Sequence, residues 1–235
     1  MRSSSVVSIS ILILMMALAF HQSHFIQIGT GIPTITDKAL IIVATKDTTH
    51  QHEYEKADAY YTYLIDQGYQ TSNIDYLACS KASFSDHIDN YTNIRNAFDR
   101  LIEDSDQNTR VSIYVSDSIH PSSSISTFHF HDCNITDHQI SNWIDDITCY
   151  ELIFITFGNH SGSIGNSLSG DRRYILSSMT EDEDNSPDEF NITRSLKDLN
   201  SDLNQDAIVT YVEAFYRGKS YYLVRCDQDP QITIN

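Results

Sequence analysis

The chain has 235 residues, 40% hydrophobic and 11% aromatic, which is enough to bury the core of one α/β domain and too apolar for a disordered chain. Its 15 Lys and Arg against 32 Asp and Glu leave a formal charge of −17, a field that repels phosphate backbones and anionic lipid surfaces, so no nucleic-acid partner is expected. With 8 Gly and 4 Pro, collagen-like and linker-rich architectures are set aside, and no G-x-x-x-x-G-K or G-x-G-x-x-G run is present.

Residues 1–19 read as a signal peptide. Arg2 supplies a positive start and Val6 to Phe20 an apolar run shorter than the roughly 20 residues that span a bilayer. Ala17-Leu18-Ala19 then offers a small-residue cleavage site. The expected location is outside the cytoplasm: extracellular, periplasmic or at the cell surface. An uncleaved anchor is the alternative, because Phe25, Ile26 and Ile28 prolong the apolarity, and it is the only membrane contact expected. Residues 20–37 read as a polar linker and 38–235 as the folded domain.

Ala39 to Ala44 is a continuous apolar run, the signature of a strand buried on both faces. A helix follows from about Glu53 to Gln67, stopped by Gly68. Ile74 to Leu77 predicts a second strand, and Ile94, Phe98, Leu101 and Ile102 form the core stripe of a second helix. Val111 to Val115 is a third strand, and Thr127 to His131 alternates like a hairpin strand with one face buried. Thr136-Asp137-His138-Gln139 is a capping box opening a helix with Ile140, Trp143, Ile144 and Ile147 on one face. Leu152 to Ile155 and Tyr174 to Leu176 are further strands. Two more helices are expected, around Ile192 to Leu203 and Ala207 to Arg217. This order predicts an α/β three-layer sandwich, with a mostly parallel central sheet and helices on both faces. Glu181 to Glu189 reads as one acidic surface loop.

Cys79, Cys133, Cys149 and Cys226 form no C-x-x-C pair, which sets aside a zinc ribbon or a thioredoxin-type site. In an oxidising compartment one or two disulfides are reasonable, with the pairing open, and a free buried thiol at Cys149 is equally ordinary.

In open parallel sheets, ligands bind beyond the carboxyl ends of the strands. That singles out Ser116-Asp117-Ser118-Ile119-His120 and Phe157-Gly158-Asn159-His160-Ser161-Gly162-Ser163. With these loops stand Lys38 to Val43, Asn93 to Phe98, Ile113 to Asp117, Ile140 to Asp145, Ser161-Gly162-Ser163 and Asp229-Pro230-Gln231-Ile232. Taken together, the chain from about Lys38 to Ile232 resembles the caspase-like cysteine peptidases, most closely their legumain-type, asparaginyl endopeptidase-like branch. The resemblance implies a caspase/legumain-like fold and hydrolysis of peptide bonds by a Cys nucleophile with a His base. In that family the third strand ends in Asp-His-Gly and the fourth in Asp-Ala-Cys-x-Ser-Gly. Here the His position holds Ser118, the following Gly position Ile119, the Cys position Asn159 and the acidic position Phe157. An amide provides no thiolate and a hydroxyl takes no proton near neutral pH. The resemblance therefore implies a catalytically inactive homologue serving as a binding or scaffold module for a peptide or protein.

Two alternatives accompany that expectation. His120, His160 and Ser161 are compensating candidates for an active endopeptidase, cysteine-type or based on Ser161, although their surroundings do not form G-x-S-x-G. These hydroxyls serve equally well to satisfy loop backbone. The other alternative is a His-rich metal-binding surface protein. His129 and His131 share a strand face near Asp132, Cys133 and His138, residue types that suit zinc or copper. Alternation also fits a solvent-facing pair opposite Phe128 and Phe130. The Glu181 to Glu189 stretch lacks the D-x-D-x-D-G spacing of a calcium loop, and no cofactor is expected.

Overall fold

The computed structural model describes residues 34–44, 51–79, 83–117, 119–122, 125–130, 132–183, 190–222 and 228–234. The expected signal peptide, nearly all of the linker, Ser118, His131, the end of the acidic stretch and Cys226 lie outside them.

Six strands form the central sheet: β1 (Thr36–Val43), β2 (Ile74–Ala78), β3 (Thr109–Ser116), β7 (Glu151–Phe157), β8 (Arg173–Ser177) and β9 (Gln231–Ile234). Their spatial order is β2-β1-β3-β7-β8-β9. The first five run parallel and β9 pairs antiparallel with β8. The predicted strands at Leu40 to Val43, Val111 to Val115 and Leu152 to Ile155 are therefore all interior. Their apolar runs end up split between two cores by the period of two along a strand. Ala39, Ile41 and Val43 of β1 join one cluster, and Leu40 and Ile42 the other.

Helices cover each face. On the first lie α1 (Gln51–Asp66), through Tyr54, Ala57, Tyr60 and Leu64, and also α4 (Ile192–Leu196) and α5 (Tyr211–Tyr222). On the second lie α2 (Tyr91–Asp104), through Ile94, Ala97, Phe98 and Leu101, and α3 (Asp137–Asp145), through Ile140, Trp143 and Ile144. Phe98 meets Trp143 with ring centroids 5.0 Å apart, and the Arg95 guanidinium sits 5.2 Å over the same indole. The architecture is α/β with a mostly parallel six-stranded sheet.

Local signals act where chemistry requires them. Gly68 takes φ +95°, a conformation that stops α1 at little steric cost. The capping box forms in full: Thr136 Oγ1 accepts from Gln139 N at 3.2 Å, and Gln139 Oε1 accepts from Thr136 N at 3.0 Å.

Three expectations need correction. The helix expected over Ile192 to Leu203 ends at Leu196, with a 3₁₀ turn over Leu199–Ser201, and the helix expected from Ala207 begins at Tyr211. Between them Gln205 and Ala207 take φ +63° and +69°, which no right-handed helix contains. The expected hairpin strand is β5 (Ile125–His129), the middle of a separate antiparallel sheet with β4 (Ile119–Ser122) and β6 (Asn134–Thr136). Strand β9 was not among the expected elements.

Candidate functional site

The two loops singled out in the sequence meet beyond the carboxyl ends of β3 and β7. Strand pairing carries on past the sheet: Asp117 N donates to Phe157 O at 3.0 Å, and Ile119 N donates to Asn159 O at 3.1 Å. The chain is thus tied down on both sides of position 118, to Phe157 before it and to Asn159 after it. Phe157 is 1% exposed, with Lys56 Nζ 5.7 Å from its ring centroid. Ser116 Oγ donates to Glu53 of α1 at 3.0 Å. The Asp117 carboxylate, 7% exposed, accepts the main-chain N–H of His129 and so fastens the small sheet to the end of β3.

The loop after β7 packs tightly. Gly158 and His160 take φ +119° and +58°. Ser161, fully buried, accepts from Met179 N at 3.1 Å and lies 3.3 Å from the Ser178 hydroxyl, which accepts from Gly158 N at 3.2 Å. His160 N donates to Glu183 O at 2.9 Å, and its Nδ1 lies 2.7 Å from Glu181 O. Gly162 is dictated by close approach, since a Cβ there would stand 2.7 Å from Met179 O and 2.8 Å from the Thr180 carbonyl carbon. Ser163 accepts from Ser126 of the small sheet at 2.8 Å.

The candidates therefore part company. Ser161 is spent on backbone and hydroxyl partners. His120 is exposed on β4, with its ring centroid 4.2 Å from that of His129, and His160 is held against the Glu181 carbonyl. Phe128 and Phe130 are buried and stacked at 5.8 Å, opposite the half-buried His129. Asp132 and His138 are exposed. Among the described residues, no three side chains drawn from His, Cys, Asp and Glu form a metal-binding group.

Among the described residues, Cys79, Cys133 and Cys149 form no disulfide with one another. Cys149 precedes β7 and so lies at the opposite end of the sheet from Asn159. Burial raises its thiol pKa, with Arg173 and Arg172 pulling the other way. Cys79 follows β2 and donates its N–H to Val43 O at 3.3 Å, which places its backbone at the carboxyl ends of β1 and β2.

A cavity of about 300 Å³ opens at the other end of the sheet, beside the paired residues Arg110 and Glu151 near the starts of β3 and β7. Tyr63, Ile153, Tyr174 and Tyr211 contribute to its lining. Arg110 Nε lies 2.8 Å from Glu151 Oε1 and 3.7 Å from Asp37 Oδ1. Beside it the Tyr60 hydroxyl contacts the Ser112 hydroxyl and, at 2.9 Å, that of Tyr211. This cavity was not expected from the sequence. Its residues come from separate elements with no shared spacing, so no local pattern announces it.

The chain matches no protein-family model and no curated protein. Among the described residues, no helix is long and apolar enough to cross a membrane.

Proposed function

We propose that the chain is an exported, catalytically inactive homologue of the caspase/legumain-like cysteine peptidases that acts as a binding or scaffold module for a peptide or protein. The mostly parallel sheet with helices on both faces supports the fold side of this reading, and the sequence and spacing of the short matches between Lys38 and Ile232 support the family side. The observation that carries the inactive reading is the state of Asn159. It stands where the resemblance puts the nucleophile, offers an amide, and has its carbonyl engaged by Ile119 N. Around it, the Ser161 hydroxyl and the His160 ring are committed to the loop after β8. A thiolate, an imidazole within reach and free oxyanion donors are the parts such chemistry needs.

The test is incubation of the full chain with peptides containing Asn, Asp, Arg and Lys, alongside thiol- and serine-directed covalent probes. Neither turnover nor labelling at an active nucleophile is expected. Turnover abolished by replacing one existing cysteine, or by Ser161→Ala, would overturn the reading.

A further inference from the structure

The segment after α4 and the first turn of α5 together contain Asp202-Leu203-Asn204-Gln205-Asp206-Ala207-Ile208-Val209-Thr210-Tyr211-Val212-Glu213. We propose that these twelve residues bind a calcium ion as an EF-hand-type loop. Such a loop takes oxygen from side chains at positions 1, 3 and 5, a main-chain carbonyl at 7, position 9 directly or through water, and a bidentate Glu at 12. Counted from Asp202, those positions hold Asp202, Asn204, Asp206, the carbonyl of Ile208, Thr210 and Glu213. The donor set is mixed, with an amide, a carbonyl and a hydroxyl beside three carboxylates, as a hard cation of six to eight oxygen ligands requires. The exit helix has its expected place too, since α5 starts at position 10 and runs to Tyr222.

Thr210 and Glu213 also form a reciprocal capping pair at the start of α5, with Thr210 Oγ1 accepting from Glu213 N at 3.2 Å. Glu213 is only 9% exposed, and its carboxylate meets neutral donors alone: Leu203 N at 3.2 Å, Asn204 N at 3.3 Å, Thr210 N at 3.0 Å and Thr210 Oγ1 at 2.8 Å. Among the described residues, no basic side chain pairs with Asp202, Asp206 or Glu213. Such N–H and O–H donors keep a carboxylate ionised, so the loop holds its negative charges close together in sequence, and a bound cation would offset their repulsion.

The backbone is shaped to match. Asp202 accepts from Asp206 N at 3.2 Å and Ala207 N at 2.9 Å, Asn204 Oδ1 from Asp206 N at 2.9 Å, and Asp206 Oδ1 from Ile208 N at 2.8 Å. The three carboxylates face these main-chain donors and do not converge as a metal-binding group, so the site is empty here and calcium would have to turn them toward a common centre through their remaining lone pairs. Position 6, glycine in the usual loop, is Ala207 at φ +69°, so this site carries a local strain that weakens it relative to a glycine version.

The test titrates calcium into the full chain after chelator treatment, following Tm and the displacement of terbium excited through the protein's tyrosines. Half-saturation in the range of about 10⁻⁴–10⁻³ M, as in extracellular modules, is expected, with magnesium far weaker. Saturation should raise Tm by several degrees. Asp206→Asn keeps the acceptor for Ile208 N, removes one charge and should weaken calcium at least about tenfold, while Ala207→Gly should strengthen it. Glu213→Gln should abolish the response. An unchanged Tm with no terbium displacement at about 10 mM calcium, tenfold above that affinity range, would overturn the proposal. So would a response equal in wild type, Asp206→Asn and Glu213→Gln, because the ion would then sit elsewhere, for instance on the acidic stretch beginning at Glu181.

Discussion

The main-chain N–H of Ile119 donates to the carbonyl of Asn159 at 3.1 Å, so the two loops that could have faced each other across a cleft are stitched together by backbone. Ile119 is itself fully buried, its side chain part of the core beneath the small sheet. Replacing the side chains of Ser118 and Asn159, the positions the proposed homology gives to the dyad, leaves that main-chain bond in place.

The first prediction follows from it. A chain carrying Asn159→Cys and Ser118→His gains a thiol and an imidazole but should still hydrolyse Asn- and Asp-peptides at background rate. A positioned acid–base pair contributes about 10²–10⁴-fold only when donors also await the oxyanion. Adding Ile119→Gly is the change expected to give measurable turnover. Fluorogenic peptide assays on the double and triple variants check this, and activity in the double variant alone contradicts it.

Ser161→Ala should cost about 1–3 kcal/mol, because Met179 N is left buried with no acceptor and Ser178 loses a hydroxyl neighbour. Urea unfolding measures it. A change under about 0.5 kcal/mol, the size of an ordinary surface substitution, would show that the hydroxyl is not structural.

Thr136→Ala should destabilise by about 1 kcal/mol through loss of the side-chain acceptor for Gln139 N, and Thr136→Ser should restore most of it. Thermal melts of both variants decide, and equal melting points for Ala and Ser would contradict the cap.

Asp37→Asn tests the polar cluster at the amino ends of the strands. Burial raises the Asp37 carboxyl above its usual range, with the Arg110 guanidinium pulling the other way. The folded state therefore holds the proton more tightly than the unfolded one. The stability this confers is full below the unfolded pKa and lost as pH rises through the folded value, so at pH 7 the charged group is a liability. The asparagine variant is expected to be at least as stable as wild type at pH 7. Its advantage should shrink as pH falls into the carboxylate range, near about 4. Denaturant melts across pH 3–7 check the trend (about four pH points suffice to resolve the slope), and a constant difference would contradict it.

The sheet was legible in the sequence because its strands are apolar on both faces, a pattern with few alternatives over Ala39 to Ala44 or Leu152 to Ile155. Thr136 and Gln139 were legible because a capping box is local chemistry. The boundaries at Leu196 and Tyr211 were not. Ile208, Val209 and Val212 extend a helix-like stripe backwards, while the left-handed turns at Gln205 and Ala207 depend on carboxylate-to-backbone hydrogen bonds that periodicity does not register. The spacing from Asp202 to Glu213 is the signal that the sequence carries there. In β4, Pro121 masks a strand whose other residues alternate poorly. Of the candidate site, residue identities at Ser118 and Asn159 were readable, but the burial of Ser161 against Met179 depends on the loop after β8, distant in sequence.

Strand β1 is the common wall of both cores. It gives Ala39, Ile41 and Val43 to the layer beneath α1 and Leu40 and Ile42 to the layer beneath α2, while pairing with β2 on one side and β3 on the other. Neither layer can melt without stripping one face of the same backbone, so the two helical layers share a single fate: they are lost together, and damage at one β1 side chain is felt by helices that never touch each other across the sheet.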